Sequence, residues 1–88
     1  MKINNLTSPR SGRPVANQFE IMHNNERYFQ SYNSIICKYD AAGRLVFDPH
    51  FWDYSVTTSK YRNQFTGLTT QETKRRIAAG SITFENLN

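Results

Sequence analysis

The chain has 88 residues, enough for one domain and too few for two hydrophobic cores. A composition that is 38% hydrophobic and 14% aromatic excludes a disordered tail, and the single Cys37 excludes an internal disulfide and a multi-cysteine zinc site. With no long apolar stretch, a soluble protein without a membrane span is expected. The net charge of +4 favours an anionic partner.

Residues 1–14 are predicted to form a flexible basic arm. The run TSPRSGRP combines Ser, Pro and Gly with Arg10 and Arg13. Such a segment has too little apolar surface to offset the entropy lost on ordering it. We therefore expect the folded part of the chain to be a single domain over residues 15–88.

Alternation of apolar and polar residues predicts a small antiparallel sheet of three to five strands after the arm. Asn24 and Asn25 mark a tight hairpin turn, because Asn tolerates a positive φ. Pro49 should end the last strand of this series, since proline cannot donate to a ladder. The candidate strands, including a short C-terminal one, are 16–23, 27–31, 35–39, 44–48 and 81–85.

The hydrophobic period changes to that of a helix after the predicted sheet. Thr57 or Thr58 can cap a first helix that ends at Gly67, and Lys60 and Arg62 should point away from its apolar face. That apolar face carries Tyr61, Phe65 and Leu68.

A second helix is indicated by the spacing of Thr69 and Glu72, which is that of a capping box. Good helix formers follow as far as Gly80. The predicted fold class is therefore α+β, a small antiparallel sheet followed by two short C-terminal helices.

Few residues are suited to catalysis. His50 and Asp53 are close enough in sequence to form an acid/base pair, but the same stretch also fits a simple strand-to-helix connection. Cys37 lies in an apolar strand, where cysteine usually behaves as a small hydrophobic residue. We predict a non-enzymatic protein with no cofactor and no metal.

Two tyrosines are candidate contact residues. Tyr28 and Tyr32 should point to one side of their strand, and Phe29 to the other. If Phe29 is in the core, the tyrosines can stack on bases or fill a partner's pocket. Alternatively, the helices cover the tyrosine side and both rings belong to the core.

Basic residues near the two ends of the chain are candidate phosphate or partner contacts. Lys74, Arg75 and Arg76 cover most of a helical turn, so at least two of them must be solvated. The alternative is a solubilising surface without a partner. The full candidate set is Arg10, Arg13, Lys60, Arg62, Lys74, Arg75 and Arg76.

Several runs of the sequence resemble a widespread family of small, largely uncharacterised proteins of tailed-phage and prophage genomes. They are VANQFEI at 15–21, YFQSYNSII at 28–36, WDYSVTTSKYRNQF at 52–65, ETK at 72–74 and IAAG at 77–80. The resemblance implies a phage gene product that acts in the cytoplasm of an infected bacterium. It implies no reaction and no catalytic residues.

Three functions fit a small basic protein of this type. The leading hypothesis is interference with a host or defence nucleoprotein complex, as an anti-CRISPR-like or other counter-defence inhibitor. The second is direct binding of DNA or RNA through the basic arm and the second helix. The third is a sponge for a nucleotide signal, which would need a pocket lined by Arg and Tyr, formed across an oligomer. A homodimer through an exposed sheet edge is also possible.

Overall fold

A computed structural model describes residues 1–88 and has the predicted α+β class. One six-stranded sheet has its strands in chain order, antiparallel except for a parallel last pair, and neither helix is long and apolar enough to cross a bilayer. The elements are β1 Lys2–Thr7, β2 Pro14–His23, β3 Glu26–Ser31, β4 Ser34–Tyr39, β5 Leu45–Phe47, α1 Val56–Thr66, α2 Thr70–Ala78 and β6 Thr83–Phe84.

The first strand lies where the sequence predicts a flexible arm. Lys2–Thr7 pairs antiparallel with β2, and Ile3 lies opposite Ile21. The following turn is hydrogen-bonded: the Gly12 N–H donates to the Ser8 carbonyl at 2.8 Å, and Gly12 adopts a φ of +70°. The polar composition of the segment does not predict a strand. Pairing with β2 nevertheless satisfies its backbone N–H and C=O groups. The sheet therefore has six strands, one more than the largest number predicted.

The turn between β2 and β3 is the one that the sequence predicts. Asn24 and Asn25 have φ values of 53° and 65°, so both occupy the left-handed region that a two-residue hairpin requires. The register that follows places Ile21 opposite Tyr28 and Glu20 opposite Phe29. This register decides which side chains of β3 face the helices.

The core lies between one face of the sheet and the two helices. Phe29, Cys37 and Phe47 are in register on neighbouring strands, and the Phe29 ring stacks on Phe65 of α1 with centroids 5.8 Å apart. Ile77 of α2 packs against the same cluster. The buried cluster consists of Phe29, Ile36, Cys37, Leu45, Phe47, Tyr61, Phe65 and Ile82.

The N-cap of the first helix lies two residues before Thr57 and three before Thr58, the predicted caps. Ser55 is its N-cap, and the Ser55 hydroxyl accepts a hydrogen bond from the Thr58 N–H at 3.1 Å. Thr58 is instead buried, with its hydroxyl 2.9 Å from that of Ser31. Gly67 ends the helix with a φ of 77°, as predicted.

The second helix confirms the predicted capping box. Thr69 Oγ1 accepts from the Glu72 N–H at 3.1 Å, and Glu72 Oε1 accepts from the Thr69 N–H at 3.1 Å. The helix ends at Ala78, and the following backbone turns at Gly80 with a φ of 75°.

The buried carboxylate of Asp48 fixes the C-terminal segment beside β5. Its Oδ1 accepts from the backbone N–H groups of His50 and Phe51 at 2.9 and 3.1 Å. Its Oδ2 accepts from the Leu87 N–H at 2.9 Å and from the Asn88 side-chain amide at 3.0 Å. Desolvation raises the pKa of Asp48, but these hydrogen bonds together outweigh it and the net pKa is lowered.

Candidate functional site

The basic residues divide into two groups according to whether a carboxylate neutralises them. Four form ion pairs: Arg27 with Glu20, Lys38 with Glu26, Arg44 with Asp40 and Arg62 with Asp53. The other seven are exposed and have no ion-pair partner: Lys2, Arg10, Arg13, Lys60, Lys74, Arg75 and Arg76. Six of the seven predicted contact residues belong to the unpaired group, which we call the free cations.

Arg62 is the predicted contact residue that the structure places elsewhere. Its side chain is fully buried, and its Nη1 donates to the Trp52 carbonyl at 2.6 Å. It follows Thr58 by four residues and precedes Phe65 by three, so it lies on the buried side of α1. Burial lowers the pKa of Arg62, and the nearby Asp53 carboxylate acts in the opposite direction. Arg62 is therefore a core residue and is not available to phosphates.

The turn with Arg10 and Arg13 is attached to the first helix. The Gln64 side-chain amide donates to the Thr7 carbonyl at 2.8 Å, immediately before this turn. Lys60 lies one helical turn before Gln64 on the same side of α1. These three free cations therefore lie on elements that are in direct contact.

The second helix is joined to the same side of α1. The Asn63 side-chain amide donates to Thr70 Oγ1 at 2.9 Å. Lys74 follows Thr70 by one turn, and Arg75 and Arg76 occupy the last turn of α2, where cations interact favourably with the helix dipole. The helical layer thus carries free cations on both of its helices.

Two tyrosines line a cavity at the N-terminal end of α1. The side chains of Tyr32 and Tyr54 are 49% and 62% exposed. The cavity that they line has a volume of about 490 Å³. Tyr32 is in the β3–β4 turn with a φ of 56°, which is rare for a bulky residue. The cavity is lined by Ser31, Tyr32, Asn33, Ser34, Tyr54 and Ser55.

A second cavity continues along α1. Ser55 lines both cavities, and the second one, about 610 Å³ in volume, extends to Lys60 and Asn63 of α1 and to Thr70 of α2. Asp53 also lines it, but its carboxylate accepts from the Ser59 hydroxyl at 3.2 Å and lies 3.8 Å from Arg62 Nη1. We call the two neighbouring cavities, which share Ser55, the α1 groove.

Tyr28 lies on the opposite side of the sheet from the helices. The strand ends at Ser31, so the predicted alternation does not extend to Tyr32, and the two tyrosines do not share a face. The Tyr28 hydroxyl donates to Glu26 Oε1 at 2.6 Å, which raises the pKa of Tyr28, and Lys38 Nζ donates to Glu26 Oε2 at 3.0 Å. The helices cover the Phe29 side, so Tyr28 does not belong to the core between the sheet and the helices.

The residues considered for catalysis are not assembled into a reactive site. Cys37 is fully buried, and burial raises the pKa of its thiol far above the usual range. His50 is exposed on the connection after β5. Asp53 interacts with Ser59 and Arg62 and is not paired with His50.

Tyr54, Ser55 and Asn63 belong to the α1 groove but are not among the residues predicted from the sequence. The nearest signal is Tyr54 itself, which immediately precedes the true helix cap and so sits beside the start of the helix. The sequence prediction places the cap at Thr57 or Thr58, which shifts the start of the helix away from Tyr54. The position of Tyr54 beside the helix start is therefore not apparent from the sequence.

Fold and site together define a small α+β protein with free cations and exposed tyrosines around its first helix. The sequence model of a family of unknown function, DUF8033, matches residues 1–80, and the chain belongs to this family. The match includes β1 to β5 and both helices. No curated protein and no solved structure matches the chain.

Proposed function

We propose that this protein is a non-catalytic, phage-encoded binding protein that interferes with a nucleoprotein complex of the bacterial host or of its defence systems. The observation that carries the proposal is the separation of paired and free cations. The acidic residues do not neutralise every Lys and Arg side chain. Most of the remaining free cations are exposed on the turn after β1 and on the two helices. Such a surface attracts an anionic partner in the host cytoplasm.

A nucleoprotein complex offers two kinds of surface, and the protein has a counterpart for each. The helical side carries free cations that can contact phosphates. The outer sheet face carries Ile3, which is 55% exposed, and its Lys38 is already neutralised by Glu26. A face with an exposed apolar side chain and little free charge is compatible with a protein surface more than with a phosphate backbone.

Capture of the partner from a bacterial lysate tests this proposal. The tagged protein is incubated with lysate, with and without nuclease, and the retained proteins are identified by mass spectrometry. We expect one multi-subunit complex to be retained after nuclease treatment. Retention of no complex in either condition would overturn the proposal.

Charge variants show whether the free cations contribute to this capture. The variant Arg75→Gln, which removes one free cation, should retain less of the complex. Arg44→Gln is the matched control, because it removes an exposed cation that is already paired with Asp40. Equal losses in the two variants would indicate an effect of net charge alone.

Direct binding of DNA or RNA is the second candidate. It is favoured by the hydrogen-bonded turn that carries Arg10 and Arg13 and follows the Thr7 carbonyl bound by Gln64 of α1, since cations on a fixed scaffold lose less entropy on binding phosphates. A shift of bare nucleic acid by the purified protein at ~150 mM salt supports this candidate. Loss of the captured material after nuclease treatment would also support direct binding of nucleic acid.

The nucleotide-signal sponge and the homodimer stay as predictions. A sponge requires a stoichiometric complex with a small nucleotide, which equilibrium dialysis measures directly. A homodimer requires a doubled mass in sedimentation equilibrium. An enzymatic role would require His50 or Cys37 to titrate as a reactive group, and burial of Cys37 acts against its ionisation.

A further inference from the structure

The α1 groove combines two features that do not occur together elsewhere on the molecule. At one end, the exposed rings of Tyr32 and Tyr54 line the same cavity. At the other end lies Lys60, a free cation. Exposed aromatic side chains beside a cation suit the binding of single-stranded nucleic acid, because bases stack on the rings while the cation contacts a phosphate.

At the tyrosine end of the groove, some polar groups are already bonded within the protein and others are available to a ligand. Ser31 and Ser55 are engaged, since their hydroxyls lie 2.9 and 3.1 Å from the hydroxyl of Thr58. The hydroxyl groups of Tyr32 and Tyr54 and the side-chain amide of Asn33 have no hydrogen-bond partner within the protein. An amide provides both donors and an acceptor, as the edge of a nucleobase requires.

The backbone holds Tyr32 in place before any ligand arrives. Its N–H donates to the Asn17 carbonyl at 2.7 Å, and its carbonyl accepts from the Gln30 side-chain amide at 2.8 Å. These bonds fix the β3–β4 turn, in which Tyr32 adopts its positive φ. A ring on a fixed turn loses less conformational entropy when a base stacks on it.

We infer that the α1 groove binds unpaired nucleotides of a single-stranded nucleic acid. A base stacks at Tyr32 and Tyr54, with its edge toward Asn33, and the adjoining phosphate lies toward Lys60. A duplex cannot use this end of the groove, because its base faces are hidden by stacking within the helix. The inference rests on the proposed function and specifies that the nucleic acid of the bound complex includes a single-stranded segment.

Fluorescence anisotropy with short oligonucleotides tests the inference. The probes are a labelled 12-nucleotide oligo-dT, its RNA counterpart and a duplex of equal length. Tyr32→Ala and Tyr54→Ala should each weaken single-strand binding roughly 5- to 100-fold, the range measured for loss of one base–aromatic stack. Duplex binding, which depends on the free cations alone, should change less than about twofold.

Two sets of controls separate stacking from general effects. Tyr28→Ala removes an aromatic ring from the opposite side of the sheet and should leave single-strand binding unchanged. Tyr32→Phe and Tyr54→Phe keep the ring, and with it most of the affinity, so they report on binding even where an alanine variant folds poorly. Melting curves of every variant confirm folding.

The possible results distinguish this inference from the proposed function. Preference of the wild-type protein for a single strand, lost in Tyr32→Ala and Tyr54→Ala, supports it. Equal binding of single strand and duplex, no binding of either, or unchanged affinity in both alanine variants would overturn it. Nuclease-resistant capture of a protein complex does not depend on the groove and would still support the proposed function.

Discussion

The guanidinium of Arg62 lies over the indole ring of Trp52, 5.4 Å from the ring centroid, and donates to the carbonyl oxygen of the same residue. The guanidinium also lies 5.9 Å from the Phe47 centroid, and Phe47 stacks on Trp52 at 5.7 Å. A buried cation is costly unless it is compensated. Two ring faces, the Trp52 carbonyl, the Asn63 side-chain oxygen and the Asp53 carboxylate compensate part of this cost, while the Nε atom of Arg62 has no hydrogen-bond partner. These contacts tie α1 to the connection after β5.

Substitution of Arg62 should lower the stability of the fold rather than remove a contact to nucleic acid. Arg62→Ala leaves a cavity against Phe47 and Trp52, and should lower the free energy of unfolding by roughly 2–4 kcal/mol. Arg62→Met fills that space without a buried charge and should stay within about 1.5 kcal/mol of the wild type. Urea denaturation measures both. An Arg62→Ala variant of wild-type stability with weakened nucleic-acid binding would place Arg62 on the contact surface after all.

Trp52 is the second half of this arrangement and is only partly buried. Trp52→Ala should cost roughly 3 kcal/mol, near the low end of the range for large aromatic residues, because the ring is not fully enclosed. Trp52→Phe keeps a ring beneath the guanidinium and should recover most of that loss. Thermal melts of the two variants check the expectation, and equal stability of both alanine and phenylalanine variants would contradict it.

Removal of residues 1–7 should destabilise the protein, although the sequence alone predicts a flexible arm in this region. The deletion removes β1 and exposes the edge of β2, including Ile21 and Phe19. We expect the melting temperature to fall by at least several degrees, since 1 kcal/mol corresponds to about 4–8 °C in a domain of this size. A double variant of the turn, Arg10→Ser with Arg13→Ser, keeps the strand and should melt near the wild type. An unchanged melting temperature for the deletion would mean that β1 contributes no stability.

These residues show which parts of the structure are legible in the sequence. The turn at Asn24 and Asn25 and the capping box of Thr69 and Glu72 are local, so their residue types predict them directly. The strand Lys2–Thr7 depends on pairing with residues seven to twenty positions away and carries a polar sequence, so no local pattern indicates it.

The candidate site could be predicted from the sequence only in part. The distribution of charge along the sequence identifies six of the seven free cations, all except Lys2, because Lys and Arg are usually exposed. It fails for Arg62, which has the same charge but lies on the buried side of α1. The α1 groove is not visible in the sequence, because it forms where the β3–β4 turn meets the start of α1, and Tyr32 and Tyr54 are distant in the chain.

The carboxylate of Asp48 should make stability depend on pH in the acid range. Its pKa in the folded protein lies below the ordinary value of 3.8 because its hydrogen bonds stabilise the charged form more than desolvation opposes it. The unfolded chain therefore binds the proton first as the pH falls. The contribution is fully present above about pH 5 and is lost as the pH drops through the ordinary pKa and then the lower folded one.

Asp48→Asn tests this contribution. The amide presents donors where the Leu87 N–H and the Asn88 side chain also donate, so the variant should lose roughly 1–3 kcal/mol at pH 7. Its deficit relative to the wild type should shrink as the pH is lowered below about 4, where the wild-type carboxylate also becomes neutral. Melting temperatures between pH 2.5 and 7 measure the effect, with Glu85→Gln as the control for the same change in net charge at an exposed position. A deficit that stays constant over this range would show that the charge of Asp48 does not hold the C-terminal segment.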